Sequence, residues 1–111
     1  MSFDRYGTGV DVLGNRALIG APHDDDLGSS VGCVYVHERN LGGAGTWGTL
    51  TKLHANGGLP GDTFGSSVAI RGGLIAVGAP GFDQSLLVTE SGAAYVFDSP
   101  TLTELVKLTP P

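Results

Sequence analysis

The tripeptide Gly-Ala-Pro occurs twice, at Gly20-Ala21-Pro22 and at Gly78-Ala79-Pro80, 58 positions apart. It is the most visible part of a longer repetition. At the same offset Asp4-Arg5-Tyr6-Gly7 falls on Asp62-Thr63-Phe64-Gly65, Val10 on Val68 and Gly14 on Gly72. Beyond the prolines the offset becomes 60 and matches Gly32, Tyr35 and Val36 with Gly92, Tyr95 and Val96. It becomes 55 where Lys52-Leu53 falls on Lys107-Leu108. Matched blocks with unequal offsets describe equivalent strands joined by loops of different length. A chain of 111 residues that repeats itself in this way is two copies of one supersecondary unit.

Each copy reads as four strands. The first covers Gly7–Leu13 or Gly65–Arg71, where Val10/Val12 and Val68/Ile70 alternate as a half-buried strand requires. Gly14-Asn15 or Gly72-Gly73 then makes a two-residue hairpin turn. The second strand is Arg16–Ala21 or Leu74–Ala79, ended by a proline that cannot donate to a ladder. The third is Gly32–Glu38 or Gly92–Asp98, and the fourth, more polar, is Thr49–His54 or Thr103–Thr109. No segment sustains a helical period with caps, so the fold class is all-β. Composition agrees: 19 glycines against an ordinary share of roughly 7 % suit a chain of tight turns.

Four-stranded units repeated in tandem predict β-propeller blades. The stretches Phe64–Asp98, "FGSSVAIRGGLIAVGAPGFD…ESGAAYVFD", and Tyr6–Glu38, "YGTGVDVLGNRALIGAPHDDD…VGCVYVHE", resemble the FG-GAP repeat, the blade motif of the integrin α-subunit propeller. The resemblance covers nearly the whole chain as a single two-blade unit, blade 1 over about residues 1–57 and blade 2 over about 58–111. It implies that Tyr6-Gly7 and Phe64-Gly65 enter the first strands, and that Gly20-Ala21-Pro22 and Gly78-Ala79-Pro80 leave the second strands on the same side of the disc. These residues are then blade packing, not chemistry. The resemblance also implies an extracellular or cell-surface setting.

Propellers close with about four to eight blades. Two stacked blades leave two apolar faces bare, which monomers rarely tolerate. Met1 before the first strand and Pro110-Pro111 after the last are expected of a self-contained two-blade unit, though a piece of a longer chain reads the same way. The expectation is a ring completed by oligomerisation: a homotrimer of six blades, with a tetramer or a fragment of a longer propeller as alternatives.

The net charge of −5 disfavours nucleic acid and anionic membranes as partners. No apolar run approaches the roughly 18 residues of a membrane span, and the first residues lack a signal-peptide pattern. The single cysteine, Cys33, aligns with Ala93 and reads as a small buried residue. Candidate ligand contacts lie on the loops Pro22–Val31, Ala55–Thr63 and Pro80–Ser91, namely His23, Asp24, Asp25, Asp26, Phe82 and Asp83, with Trp47 added for a ring that either stacks on a sugar or packs on a blade edge.

The acid run Asp24-Asp25-Asp26 is read as a solvated turn or, alternatively, an unconventional cation site with Asp24 and Asp26 as ligands. It fails the EF-hand pattern, because Gly28 falls where the third acid belongs. FG-GAP blades that bind calcium carry an acidic loop between strands one and two. Here those places are the bare turns Gly14-Asn15 and Gly72-Gly73, so no cofactor is expected, calcium at the acid run being the alternative. Gly43 to Gly48 matches G-x-G-x-x-G, but a strand follows where a dinucleotide site needs a helix. His23, His37 and His54 are scattered, and no Ser/His/Asp nucleophile pattern exists. Asp11 aligns with Ala69 on the innermost strand and needs a partner there, one source being another subunit. The expected function is a non-catalytic module that self-assembles and binds protein or glycan. A purely structural or engineered assembly unit is the alternative; a lectin with defined sugar sites or an enzyme ranks lower.

Overall fold

The computed structural model describes residues 5–24, 31–59, 61–81 and 91–110, and these contain eight strands and no helix. β1 (Val10–Leu13), β2 (Arg16–Ala21), β3 (Cys33–Glu38) and β4 (Gly48–Leu53) form one antiparallel sheet in that order. β5 (Ser67–Arg71), β6 (Leu74–Ala79), β7 (Ala93–Asp98) and β8 (Glu104–Leu108) form a second. The two sheets have the form of two propeller blades, with the same register and the same irregularity. The ladder slips between Val36 and His37 in blade 1, and between the matching Val96 and Phe97 in blade 2.

The first and third strands start later than their alternation suggests. Gly7 and Gly65 sit at φ +98° and +102°, which bends the chain out of the ladder before β1 and β5 begin. Gly32 does not extend β3; it makes an isolated parallel bridge to Phe64 of the next blade. The turn after β7 is held by Asp98, whose Oδ2 accepts from the Thr101 amide and hydroxyl. Those bonds stabilise the ionised form and lower its pKa.

The core lies between the blades. From blade 1 it takes Leu18, Val34, Val36 and Leu53; from blade 2 it takes Phe64, Ile70, Ile75, Val77, Tyr95 and Phe97. Phe64 meets Tyr95 and Phe97 edge-on, at centroid distances of 5.3 and 5.9 Å. Burial, with the carboxylates of Asp62 and Glu104 nearby, pushes the Tyr95 hydroxyl up to about 12. Asp11 ties the innermost strands together: its Oδ2 accepts from the Ile70 amide at 2.8 Å and its Oδ1 from Val12 N at 2.9 Å. Its partner is thus found in the second blade of the same chain, where another subunit was one possible source. At the opposite end from the Gly-Ala-Pro turns, Arg16 pairs with Glu38 at 2.6 Å and donates through Nη1 to the Ser99 carbonyl of blade 2.

Candidate functional site

The junction between the blades is a plug in a socket. The plug is Thr63-Phe64-Gly65-Ser66. Thr63 has φ 57°, Ser66 Oγ donates to the Thr63 carbonyl at 2.8 Å, and Gly65 N donates to Gly78 O at 3.0 Å. The socket is the end of blade 1: Phe64 N donates to Val31 O at 3.0 Å, and the plug backbone lies directly over Gly20 and Gly32. A Cβ at Gly20 would overlap the Gly65 carbonyl oxygen, and one at Gly32 the Phe64 carbonyl oxygen. Only glycine allows that approach.

Each half of this junction exists a second time, away from the contact between the two blades. Arg5-Tyr6-Gly7-Thr8 repeats the plug: Arg5 has φ 58°, Thr8 Oγ1 donates to the Arg5 carbonyl at 2.6 Å, and Gly7 N donates to Gly20 O at 3.0 Å. Tyr6 is 56 % exposed where Phe64 is fully buried. It stands edge-on to Tyr35 at 5.1 Å, as Phe64 stands to Tyr95, and shares a 2.8 Å hydrogen bond with His37 Nε2. Partial burial beside Tyr35 raises its pKa. The second socket lies on blade 2, where Ser67, Gly78, Ala79, Pro80, Gly92 and Ala93 contribute to a cavity of about 390 Å³. Among the described residues, the atoms nearest an added Cβ at Gly78 belong to Ser67, and those nearest one at Gly92 belong to Pro80.

The two sheet faces follow the same logic. Blade 1 turns outward the row Val10–Ile19–Tyr35–Lys52, exposed at Val10 and half-buried at the other three, the counterpart of the row Val68–Val77–Tyr95–Lys107 on the inner face of blade 2. Blade 2 exposes Ala69–Ala76–Val96–Val106, the counterpart of Asp11–Leu18–Val36–Thr51.

At the Gly-Ala-Pro end, the described parts of the loops converge. Gly81 N donates to Asp62 O and to Thr63 Oγ1, both at 3.1 Å, and Gly58 packs against Val31. Asp24 is 3 % exposed and pairs with Lys52 Nζ at 3.3 Å, so the reading of this residue as part of a solvated turn is corrected. One of its carboxylate oxygens, the Sγ of Cys33 and a ring nitrogen of His54 lie within 4.8 Å of one another. Cys33 is fully buried, as expected. The scatter of the histidines along the chain hid the place of His54. The signal was available in the topology, since the exit of β2, the entry of β3 and the exit of β4 fall at one end of an antiparallel sheet. His23 is half-buried next to Asp24. Trp47, 42 % exposed, is not brought to this group. It precedes β4 at the opposite end, where the β3–β4 connection bonds the β1–β2 turn through Arg39 and Asn15. Asp4, Asp25, Asp26, Phe82 and Asp83 lie outside the described residues.

A sequence model of the FG-GAP repeat matches residues 1–37 and 47–97, most of the chain, the first segment running through β1, β2 and most of β3 and the second from β4 through most of β7. The chain belongs to the FG-GAP repeat family. Comparison with curated proteins returns no match. FG-GAP repeats build propeller-like binding modules and are typically extracellular. Among the described residues no helix is long and apolar enough to cross a membrane.

Proposed function

We propose that this FG-GAP chain is a propeller-building module that stacks on further copies of itself, plug into socket, and presents its Gly-Ala-Pro loops to a protein or glycan without catalysing a reaction. The observation that carries the reading is the second socket. Gly78 and Gly92 repeat the two glycines that the Phe64-Gly65 backbone presses upon, yet among the described residues the atoms nearest an added Cβ there belong to Ser67 and Pro80 of the same blade. The occupant with the right shape is another aromatic-glycine turn, and Arg5-Tyr6-Gly7-Thr8 already holds that conformation. Because plug and socket lie on opposite faces, the contact is head to tail and generates a ring when the rotation closes. Three copies give six blades and four give eight, both within the range of about four to eight seen in propellers. The loops sit on a rigid scaffold at one end, the usual place for recognition, and the extracellular setting of the family suits a surface ligand.

Light scattering on the size-fractionated chain tests the reading. The expected mass is that of three or four chains, falling to that of one chain on Tyr6→Ala with blade secondary structure retained. A folded, monodisperse monomer at high protein concentration overturns it.

A further inference from the structure

The geometry points to a binding site for a thiophilic divalent cation of the zinc class, held by Asp24, Cys33 and His54 at the end of blade 1. The fold brings the three together from the exit of β2, the first residue of β3 and the residue just past β4. Their donor atoms are within 4.8 Å of one another. Around a tetrahedral zinc with bonds of about 2.0–2.3 Å, neighbouring ligand atoms stand about 3.5 Å apart. Side-chain rotations of about 1 Å therefore close the cluster on an ion.

Two observations separate this cluster from ordinary blade packing. His54 Nε2 is sealed from solvent and makes no hydrogen bond, whereas buried polar atoms are as a rule partnered. A metal ion is the kind of partner that a buried imidazole nitrogen takes in place of a hydrogen bond. The second observation is the other blade. In blade 2 the places of Cys33 and His54 carry Ala93 and Thr109, while Asp24 lies in a loop that differs in length and sequence between the two copies. A blade of this family closes without the donor set, so packing does not demand it.

The donors choose the ion. Calcium takes about six to eight oxygens, and a site made of sulfur, nitrogen and one carboxylate offers it little. Thiolate, imidazole and carboxylate suit zinc and its neighbours, with water in the fourth position. On binding, the Sγ–H proton of Cys33 leaves to solvent and the thiolate forms the bond to the metal. Thiolate and carboxylate then balance the charge of the dication. Among the described residues Lys52 is a charged group beside the cluster, its Nζ 3.3 Å from Asp24 Oδ1 and 4.9 Å from the centroid of the Tyr35 ring. Its ammonium competes with the cation for Asp24, and the Tyr35 face holds it when the cation wins.

Cobalt(II) and zinc(II) titrations of the intact, chelator-treated chain test the site. The expected result is one Co²⁺ per chain with a thiolate-to-cobalt charge-transfer band, displaced by Zn²⁺ and not by Ca²⁺. Cys33→Ser removes the band, and His54→Gln and Asp24→Asn each weaken binding by about ten-fold or more. Lys52→Gln strengthens binding by roughly ten-fold, because it removes a competing charge from a site of low dielectric. That gain cannot come from misfolding, and circular dichroism monitors the fold of the other variants. Cobalt bound without the band, unchanged affinity in Cys33→Ser or His54→Gln, or displacement by Ca²⁺ as readily as by Zn²⁺ overturns the site. The readout is stoichiometry per chain, so it stands whether or not the chain assembles.

Discussion

Gly20 and Gly78 are the same residue of the repeat under two different constraints. Gly20 is buried beneath the Gly65 carbonyl, with no room for a methyl group, while Gly78 is half-exposed and, among the described residues, is crowded by the Ser67 hydroxyl of its own blade, which can rotate away. Neither has a left-handed φ, so the difference between them is contact and not backbone strain. Gly20→Ala is expected to destabilise the chain by about 1–3 kcal/mol or more, as overpacking at a rigid backbone does. Gly78→Ala is expected to leave the stability of the single chain within about 0.5 kcal/mol, yet to remove self-association by filling the socket. Denaturant titration and light scattering on both variants check the pair. Equal destabilisation of the two would mean that Gly78 serves its own blade and not a neighbour.

Between elements, the two innermost strands lie side by side without a shared ladder, and Asp11 joins them through the Ile70 amide at 2.8 Å. Asp11→Ala leaves that amide without its acceptor next to the interblade core, a cost of about 1–3 kcal/mol, with Asp11→Asn recovering part of it through its remaining oxygen. Urea midpoints of the two variants measure it; an Ala variant as stable as the parent removes Asp11 from the account of blade coupling. The second strands, Arg16–Ala21 and Leu74–Ala79, were readable to the residue, because a glycine turn bounds each at the start and a proline bounds each at the end. The first and third strands were not, because their opening glycines look extensible in sequence. The structure uses Gly7 and Gly65 to bend the chain, and Gly32 to meet Phe64 from the next blade. Asp11 was placed correctly on the innermost strand, but its alignment with Ala69 does not say which neighbour lies beside it. The Asp24, Cys33 and His54 cluster stayed hidden for a related reason. It depends on three strand ends meeting in space, and each of its residues lacks a counterpart in the other copy of the repeat.

For the whole molecule, repetition and incompleteness are one property. The Cα envelope is only 18 Å through its thinnest direction, the depth of two sheets packed about 10 Å apart. Such a body has one interior layer, and both outer layers remain copies of its two sides. Val10 and Val12 are exposed at 61 and 58 %, whereas their counterparts Val68 and Ile70 pack on the core. Ala76 is exposed where its counterpart Leu18 is fully buried. A face that matches the opposite face of an identical molecule, and not itself, gives head-to-tail contacts, and this geometry is testable by poisoning one face at a time. Val10→Arg blocks the plug side and Ala76→Arg the socket side, each at an exposed position where the single chain tolerates the change. Each variant alone is expected to be monomeric. Mixed in equal amounts, they are expected to form one-to-one dimers and nothing larger, because the mixture holds a single intact pairing, the socket of the first with the plug of the second. An isologous contact predicts the opposite, since a patch that binds its own copy is poisoned in both partners or in neither. Sedimentation velocity on the two variants and their mixture reads the outcome directly, and a mixture that stays monomeric rules out the head-to-tail ring.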